Sequence, residues 1–508
     1  MGSLENKLFK INALSNVMVK AFDVYKSVKI RFIDFKYEKA ENPTLSKEEL
    51  IEYNKNRKFG VHKELCFAPK KSMIFSFDGN VYLCCENKQY SIGNVASETV
   101  HDIWFGEKRA FIDKKINTDY NLEYGCINCK YKIQNKDYTL ALAQVFDLKT
   151  NNHSAYPARL DFEIHNTCNL ECVMCSGVYS SSIQINRYKK PAIPIRYDES
   201  FIEQLNEFLP HVKYINLIGG EPTLISIYYK ILERAIELNP DCIFHIQTNA
   251  STLNDRFRKI LSKGNFQIGI SIDSLKKDLA EKIRINLNFE KFMENVRYYL
   301  KLHNANRIKV TVNICPMPYN WREMVDIIRF CNENKVTVFL CIVNAPYYNS
   351  FLSVSPEYID KVYHELTLML GELPRSNYFE AGNYDRLKDF INLLQQFKEV
   401  VIQNKSAYTD YIKETISALF TVLHNKLISH IQHPMKQDFA DEALKYTQEK
   451  FQELDENTRK ELLIIIINGI REPILSATKE EYMKWSVEFV DSLVFSYSNR
   501  AVFLPYIK

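Results

Sequence analysis

Apolar and helical stretches alternate regularly through the middle of the chain. Six short apolar runs have the length of buried strands and lie at 159–164, 212–218, 242–248, 266–272, 307–314 and 336–343. Between them, apolar residues recur at helical spacing, for example at 199–209, 229–238 and 290–302. Six β-then-α units in a row predict an α/β fold with a parallel sheet and outer helices. We expect a partial (β/α)6 TIM-type barrel over residues 150–348, because six units are too few for a closed eight-stranded barrel.

Two different regions are predicted ahead of the barrel. Apolar residues at helical spacing over 3–27 predict an amphipathic helix within an N-terminal helical segment, 1–60. Residues 61–140 then contain two strand-like runs, MIFSF and VYLCC, separated by Asp78-Gly79-Asn80. An Asp-Gly pair between such runs is a strong hairpin signal. The pattern therefore predicts a small β-hairpin module before the barrel.

After the barrel the strand signal fades, and residues 349–508 are predicted to be mostly helical. Ser355 followed by Pro356 is a typical helix start, with Ser as the cap and Pro at the first position. A further apolar stripe at helical spacing consists of Leu387, Phe390, Ile391, Leu394, Phe397 and Val401.

The composition is that of an ordinary soluble globular protein. The chain has 508 residues, of which 46% are hydrophobic and 25% charged, with a formal net charge of +4. This small charge gives no reason to expect a nucleic acid or a membrane as partner. No run approaches the roughly 20 apolar residues of a membrane span, and the N-terminus lacks the apolar core of a signal peptide. We therefore expect a cytoplasmic protein.

Twelve cysteines are present, and eight of them fall in two groups before residue 176. Disulfides are rare in the cytoplasm, so clustered cysteines indicate a metal or an iron–sulfur cluster. The first group is Cys66, Cys84, Cys85, Cys126 and Cys129, and the second is Cys168, Cys172 and Cys175.

The second group is a C-x3-C-x2-C run directly after the first barrel strand. Thiolates bind soft metals, and a structural zinc site uses four protein ligands. Three thiolates leave one coordination position open, as in a [4Fe–4S] cluster with three ligated irons. A zinc site with a distant fourth ligand, or three structural cysteines, are the alternatives.

This run resembles the signature of the radical SAM superfamily, and further motifs of that family follow in order. They are Gly219-Gly220-Glu221-Pro222, similar to its GGEP motif, Gln247-Thr248-Asn249, and Ser271-Ile272-Asp273. The resemblance implies a [4Fe–4S] cluster held by Cys168, Cys172 and Cys175, whose free iron chelates S-adenosylmethionine (SAM). Reductive cleavage of SAM would then yield a 5′-deoxyadenosyl radical that takes a hydrogen atom from a substrate.

The resemblance also implies which residues contact SAM. Glu221 is expected to accept a charge-assisted hydrogen bond from the SAM ammonium group, and Arg284 to pair with its carboxylate. The other expected contacts are Gly219, Gly220, Pro222, Asn249, Ser271 and Asp273, although each could instead be an ordinary turn or polar strand end. Met174 departs from the family, which usually has an aromatic residue before the third cysteine.

The first cysteine group resembles the SPASM/twitch module of radical SAM enzymes. The matching features are Cys66, Gly79-x4-Cys84, Ile92-Gly93-Asn94, Ile103-Trp104 and Cys126-x2-Cys129. The resemblance implies an auxiliary [4Fe–4S] cluster on Cys66, Cys84, Cys126 and Cys129, with Cys85 as the alternative to Cys84. Zinc in the same cage, or unligated cysteines, are the alternatives. The family generally places this module after the barrel, whereas here it comes first.

Two isolated cysteines and one loop are further candidates. Cys315 follows the fifth predicted strand, and Cys341 lies in the sixth. A thiol at the C-terminal end of a barrel strand could donate a hydrogen atom to a substrate radical or ligate a group, although an isolated cysteine is more often a small buried apolar residue. The basic loop 186–196 could steer an acidic peptide or a phosphate, or be ordinary solvated surface.

The resemblance implies a radical SAM oxidoreductase or maturase that modifies a peptide, with a flavodoxin or ferredoxin as electron donor. Two alternatives remain. The same radical initiation could act on a small metabolite or, with less support from the charge, on tRNA. A non-catalytic iron–sulfur redox or scaffold protein is the alternative of another class.

Overall fold

The structure is a computed structural model that describes most of the chain from residue 44 onward. The described residues are 44–469, with gaps at 58–61, 63, 89, 123–125, 139–140, 148–153, 412–415, 433–435 and 453, and then 474–475, 490–491, 493–494 and 502–503. The helix predicted over 3–27 lies outside them. Among the described residues, no helix is both long enough and apolar enough to cross a membrane.

One nine-stranded sheet organises the described part of the chain, in the order β3-β2-β1-β4-β5-β6-β7-β8-β9. Strands β4 to β9 are parallel and coincide closely with the six predicted runs, which confirms the partial barrel. The strands are β1 (Ser72–Ser76), β2 (Asn80–Tyr82), β3 (Gly93–Asn94), β4 (Arg159–Glu163), β5 (Tyr214–Leu217), β6 (Ile243–Thr248), β7 (Asn265–Ser271), β8 (Lys309–Ile314) and β9 (Thr337–Leu340).

The predicted hairpin is present, but it joins the barrel sheet. β1 pairs antiparallel with β2 across a turn at Gly79, whose φ of +85° suits glycine. The other edge of β1 pairs in parallel with β4 along its whole length. Phe75 on β1 stacks on Phe162 of β4 with ring centroids 5.2 Å apart. The cysteine module is therefore continuous with the barrel.

Short helices complete the cysteine module around a buried aromatic residue. Trp104 is fully buried, and its indole N–H donates to the carbonyl of Ala155 at 2.8 Å, so the module is tied to the segment leading into β4. The helices are α1 (Lys47–Lys55), α2 (Ala68–Lys71), α3 (Val100–Phe105), α4 (Glu107–Asn117) and α5 (Ile127–Gln134).

Six helices cover the outer face of the barrel strands. The first ends at Leu205 instead of 209, and a 3-10 turn with Pro210 follows; proline lacks an N–H and disfavours helix in the residue before it. These helices are α6 (Glu199–Leu205), α7 (Ser226–Leu238), α8 (Asp255–Leu261), α9 (Lys277–Ile283), α10 (Phe289–Asn304) and α11 (Trp321–Glu333).

The two faces of the sheet differ in polarity. Alternate residues of each strand point to opposite faces, and the apolar ones, such as Leu160, Ile215 and Phe244, are buried. The opposite, inner face carries the polar residues Asp161, Glu163, Asn216, His245, Gln247, Ser271 and Asn313. The barrel interior is therefore a polar lumen.

The region after the barrel is helical where it is described, as predicted. Ser355 caps the first helix by accepting from the N–H of Tyr358 at 3.2 Å, and the predicted apolar stripe from Leu387 to Val401 is buried. The helices are α12 (Pro356–Gly371), α13 (Tyr378–Tyr411), α14 (Ile416–His430), α15 (Lys436–Phe451) and α16 (Glu456–Gly469), with short strands β10 (Ile431–Gln432) and β11 (Ile474–Leu475) pairing beside them.

Candidate functional site

The loop with the three clustered cysteines, residues 165–177, leaves the C-terminal end of β4. Asn166 is fully buried and anchors the loop. Its amide donates to the carbonyl of Gly177 at 2.9 Å and to the side chain of Gln184 at 2.8 Å. The bond to Gly177 closes the loop on itself, because Asn166 lies next to its first residue and Gly177 is its last.

The middle of the cysteine loop is attached to the segment after α9. The N–H of Val173 donates to the carbonyl of Ile283 at 2.9 Å, and that of Glu171 to Ile285 at 3.0 Å. This short ladder brackets Arg284. These hydrogen bonds thus fix the position of Arg284 relative to the cysteine loop.

The three thiols lie at the mouth of the barrel with polar groups directed at two of them. The amide of Asn249 is 3.8 Å from Cys168 Sγ, and the guanidinium of Arg284 is 3.8 Å from Cys172 Sγ. Burial raises the pKa of Cys168, and it raises the pKa of Cys172 to about 12. The bare thiols therefore keep their protons, and a bound metal centre would replace those protons.

Gly219 and Gly220 press directly against this loop. Their φ angles are +82° and +44°. A Cβ on Gly220 would lie 2.2 Å from the carbonyl oxygen of Thr167, and one on Gly219 would lie 2.9 Å from that of His165. Both glycines, which are expected to contact SAM, thus let the backbone approach the cysteine loop closely.

Glu221 ties the glycine loop to the end of β6. Its Oε1 accepts from the hydroxyls of Thr223 and Thr248, both at 2.7 Å, and from the Thr223 N–H at 3.2 Å. Its Oε2 accepts from the N–H of Asn249 at 2.7 Å. Burial raises the pKa of Glu221 and these hydrogen bonds oppose the rise. Pro222 then opens a short 3-10 turn.

Arg284 and Asp273 form a buried ion pair beside the cysteine loop. Their closest atoms, Nη2 and Oδ2, are 2.6 Å apart, and both side chains are almost fully buried. Asp273 Oδ1 also accepts from the N–H of Cys315 at 2.7 Å. Among the described residues, Arg284 Nε has no hydrogen-bond partner. One guanidinium N–H therefore stays available for a ligand.

Ser271 lies one layer deeper in the lumen, facing other residues than Asp273. Gln247 donates to the Ser271 hydroxyl at 2.8 Å, and Asn313 donates to Gln247. Ile272 between them is fully buried on the opposite side. The alternation predicted for this strand is thus present. Gln247, the first residue of the Gln247-Thr248-Asn249 motif, and Asn313 also face the lumen, although neither was among the expected contacts.

Two ion pairs form the rest of the polar lumen, and sequence reasoning missed both. Lys88 of the cysteine module pairs with Glu163 at the end of β4, and both side chains are 6% exposed. Arg159 makes a bidentate pair with Asp161 at 2.8 and 3.0 Å. The Lys88 pair carries no sequence signal, because its two residues are 75 positions apart in the chain. Arg159 and Asp161 are two residues apart on β4, but no motif marked them.

The first cysteine group gathers beside the sheet. Cys66 and Cys129 are buried, and Cys84, Cys85 and Cys126 are partly buried. N–H groups are directed at three of the sulfurs, and hydrogen bonds to sulfur help to hold iron–sulfur clusters. The donor–sulfur pairs are Ala68 N to Cys66 at 3.4 Å, Glu86 N to Cys84 at 3.4 Å and Asn87 Nδ2 to Cys126 at 3.8 Å.

Burial and neighbouring thiols raise the pKa values of cysteines in this group. Burial, and next the neighbouring Cys129, raises the pKa of Cys66 to about 12; burial raises the pKa of Cys129 to about 11. A hydrogen bond with Cys85, and then burial, raises the pKa of Cys84. Among the described residues, no group of three Asp, Glu, His or Cys side chains is arranged closely enough to bind one metal ion. Loading either cysteine group with a metal centre therefore requires the side chains to adjust.

The C-terminal end of the described chain packs in the same apolar cluster as part of the cysteine loop. Phe503 stacks on Tyr319 with ring centroids 3.9 Å apart, within an apolar cluster that includes Val173. Asn349 donates to the carbonyl of Val173 at 2.7 Å. Residues after the barrel thus complete the surroundings of the cysteines, which no local pattern had indicated.

The basic loop 186–196 packs partly inward. Arg187 donates to the carbonyl of Glu171 in the cysteine loop at 2.9 Å. Ile193 is buried, and its carbonyl contacts the ring of His165 at 3.1 Å. The loop therefore supports the cysteine loop, in addition to presenting exposed residues.

The sequence patterns of two known families match this chain. The pattern of the radical SAM superfamily matches residues 162–331. That of the SPASM iron–sulfur cluster-binding domain matches residues 66–130. The first match spans the cysteine loop and β5 to β8, and the second spans the first cysteine group.

Curated relatives match over part of their length. A cysteine-type anaerobic sulfatase-maturating enzyme of Clostridium novyi is 29% identical over 161 residues, 29% of this chain and 40% of the relative. A GTP 3′,8-cyclase of Sulfurimonas denitrificans is 28% identical over 128 residues, 25% of this chain and 39% of the relative. The chain thus spans about two fifths of the length of these relatives.

Among solved structures, Streptococcus suis SuiB bound to S-adenosylmethionine superimposes with a TM-score of 0.33 and 17% identity. The superposition covers 52% of this chain and 60% of that one.

The two family matches fall on the two cysteine groups whose geometry is described above. A radical SAM domain implies SAM and a [4Fe–4S] cluster, and a SPASM domain implies auxiliary iron–sulfur binding. The chain therefore carries a radical SAM domain over residues 162–331 and a SPASM iron–sulfur cluster-binding domain over residues 66–130.

Proposed function

We propose that this chain reductively cleaves SAM and uses the resulting radical to take a hydrogen atom from a peptide, which it thereby modifies. The observation that carries the proposal is the arrangement around the loop 165–177. Its three thiols lie between a glycine loop pressed against it and Arg284, whose Nε has no hydrogen-bond partner among the described residues.

In this proposal Cys168, Cys172 and Cys175 ligate the [4Fe–4S] cluster. When bound, the cluster supplies the electron that breaks the sulfonium bond of SAM. The protein holds the loop in place through Asn166 and the ladder to residues 283–285. Arg284, close to Cys172, contributes positive charge that favours the thiolate form.

Two charged residues would hold the methionine end of SAM. Arg284 offers its Nε to the carboxylate, while Asp273 keeps the guanidinium in place. Glu221 Oε1 already accepts three hydrogen bonds, but Oε2 accepts one from Asn249. A carboxylate oxygen accepts about two hydrogen bonds, so Oε2 has room for the SAM ammonium group. Gly219, Gly220 and Pro222 shape the loop that positions Glu221.

Asn249 and Ser271 would line the SAM site from the ends of β6 and β7. The Asn249 amide faces Cys168, and Ser271 faces the lumen with Gln247. Below them the lumen is polar, which suits the backbone amides of a peptide. The sulfatase-maturating relative, named for acting on a protein, supports a peptide substrate.

The auxiliary cysteines would hold a second [4Fe–4S] cluster, with Cys66, Cys84, Cys126 and Cys129 as ligands. The parallel pairing of β1 with β4 attaches this module to the barrel. We propose a flavodoxin or ferredoxin as the external electron donor, since the reaction consumes an electron that the chain itself does not generate.

The decisive experiment measures 5′-deoxyadenosine after anaerobic loading with iron and sulfide, addition of SAM and reduction with dithionite. We expect product from the wild type and none from Cys168→Ala, Cys172→Ala or Cys175→Ala. Cys331→Ala, which alters a buried cysteine of α11, is the matched control and should keep the activity. Equal product from the wild type and the loop variants would overturn the proposal.

A second candidate is the same chemistry on a small molecule, which the GTP 3′,8-cyclase relative supports. Peptide and nucleotide libraries offered to the active protein separate the two, because each modified product has its own mass. Absence of both SAM binding and 5′-deoxyadenosine in the fully loaded protein would favour a non-catalytic iron–sulfur protein instead.

A further inference from the structure

Cys315 and Cys341 lie side by side at the mouth of the barrel. Strands β8 and β9 pair in parallel up to Ile314 and Leu340, and the N–H of Cys341 donates to the carbonyl of Ile314 at 2.7 Å. The next residue on each strand is the cysteine. Neighbouring strands are about 4.8 Å apart, which is within the Cα separation that a disulfide tolerates.

The two thiols interact directly, and their exposure differs. They are hydrogen-bonded to each other. Cys315 is partly buried, whereas Cys341 is exposed. The hydrogen bond and burial raise the pKa of Cys315, so this thiol keeps its hydrogen at neutral pH. An S–H group is what hydrogen-atom donation requires, because a thiolate has no hydrogen to give.

Cys315 also belongs to the network that surrounds the cysteine loop. Its N–H donates to Asp273 at 2.7 Å, and Asp273 is paired with Arg284. Arg284 in turn lies 3.8 Å from Cys172 Sγ. Two residues earlier on the same face, Asn313 belongs to the lumen layer that contains Ser271. Cys315 therefore lies between the SAM site and the lumen.

We propose that Cys315 donates a hydrogen atom to a carbon radical in this site and that Cys341 resolves the thiyl radical left behind. The inference rests on the proposed function and deepens it, since a peptide carbon radical reduced in this way is returned to a C–H bond. The product class would be a peptide altered in configuration at a carbon, with no atom gained or lost.

The donation and the recovery of the two thiols conserve atoms and electrons. The Cys315 S–H bond breaks and a C–H bond forms on the substrate, leaving a thiyl radical. That radical and the Cys341 thiol form an S–S bond, releasing one proton and one electron. The electron passes to an electron-carrier protein of the flavodoxin or ferredoxin class. An external dithiol reductant then restores both thiols, so the pair can act again.

The first test follows deuterium in the absence of substrate. The wild-type protein, loaded with iron and sulfide, is given SAM and dithionite in D2O, where thiol hydrogens exchange with solvent and carbon-bound hydrogens do not. The 5′-deoxyadenosyl radical that finds no substrate should take deuterium from Cys315. We expect singly deuterated 5′-deoxyadenosine from the wild type.

Variants of individual cysteines test whether the deuterium comes from the Cys315 thiol. Cys315→Ser keeps the shape but offers an O–H bond too strong for the radical to break, so most of the deuterium label should be lost. Cys341→Ser should keep the label in a first turnover. Cys331→Ala should resemble the wild type.

The second test uses the unloaded protein and needs no activity. Diamide, a small thiol oxidant, should produce a peptide pair joined through Cys315 and Cys341, detected by mass spectrometry after digestion. Cys341→Ser should abolish this link. Failure of the folded wild type to form it would overturn the resolving role of Cys341.

These outcomes separate failure of hydrogen donation by Cys315 from failure of the proposed SAM cleavage. If 5′-deoxyadenosine forms but carries the same label in Cys315→Ser as in the wild type, donation by Cys315 is wrong and SAM cleavage stands. If no protein forms 5′-deoxyadenosine, the proposed function fails and the donation proposal fails with it.

Discussion

At the scale of single residues, Gly220 shows how closely the two loops of the site depend on each other. It combines a φ of +44° with backbone atoms of the cysteine loop at less than van der Waals distance from any added Cβ. The N–H of the next residue, Glu221, donates to the carbonyl of Thr167 at 2.7 Å. No side chain other than hydrogen can occupy this position without moving the cysteine loop.

We predict that Gly220→Ala destabilises the protein by about 1–3 kcal/mol, the usual cost of overpacking, and lowers cluster loading. The added Cβ would meet backbone, which cannot rotate away. Urea denaturation and iron content measure the two effects.

Gly371→Ala is the matched control for this change. Among the described residues, no atom outside the local helix backbone lies within 4 Å of a Cβ at that position. Alanine there should be neutral or stabilising by up to about 1 kcal/mol. Equal stability of the two variants would contradict the prediction.

The buried pair of Arg284 and Asp273 yields a second prediction at this scale. Asp273→Asn removes the negative partner and leaves the guanidinium buried beside the cysteines. We expect a loss of about 3–5 kcal/mol in the free energy of unfolding, because an uncompensated buried charge is costly.

An exposed pair provides the comparison. Arg256 and Glu233 are 2.7 Å apart, with side chains about half exposed, and Glu233→Gln should cost no more than about 1 kcal/mol. Losses of similar size in the two variants would mean that the Arg284 pair is less shielded from water than the structure indicates.

At the scale of elements, the pairing of β1 with β4 decides how the SPASM domain relates to the barrel. The module precedes the barrel in the chain, and the sequence suggested a hairpin unit of its own. The structure instead gives β1 a full-length parallel partner and a stacked contact between Phe75 and Phe162. The two regions therefore share one sheet and one apolar core.

We predict that Phe75→Ala costs about 3–5 kcal/mol and weakens both regions together. Phe75 is fully buried between β4 and α6. Hydrogen exchange should become faster in β1 and in β4 alike.

Phe111→Ala, at a side chain that is 46% exposed, serves as the control and should leave exchange in both strands unchanged. Faster exchange in β1 alone after Phe75→Ala would indicate that the module unfolds independently of the barrel.

At the scale of the whole molecule, residues that follow the barrel pack near the cysteine loop. Asn349, after the barrel, and Phe503, near the C-terminus, both contact this loop or its apolar surroundings. The helical region that follows the barrel is thus connected to the site, and Phe503 shares an apolar cluster with Val173, which lies between two of the cysteines.

We predict that Phe503→Ala exposes the cysteine loop. Loss of a buried, stacked ring should lower the local free energy of opening by about 3 kcal/mol, so hydrogen exchange over residues 165–177 should accelerate while exchange in β6 stays unchanged.

Val502→Ala is the adjacent control, since that side chain is 43% exposed and should have little effect. Unchanged exchange in the cysteine loop of Phe503→Ala would show that the C-terminal contact contributes nothing to its protection.

Local signals in the sequence determined the positions of the barrel strands and of the motifs of the radical SAM domain. Strand periodicity located β4 to β9, because alternation and strand length are properties of neighbouring residues. The spacing of Cys168, Cys172 and Cys175, with the Gly219-Gly220-Glu221-Pro222 segment, indicated the radical SAM domain for the same reason, since each motif is contained within a few consecutive residues.

The tertiary structure alone decided the relations between distant segments. Four contacts join residues that are distant in sequence: the pairing of β1 with β4, of Lys88 with Glu163 and of Cys315 with Cys341, and the packing of Phe503 on Tyr319. Such contacts depend on how the strands are ordered and how the chain returns to the barrel mouth. No local pattern of hydrophobic and polar positions encodes that return, because the same pattern satisfies many arrangements of the same elements.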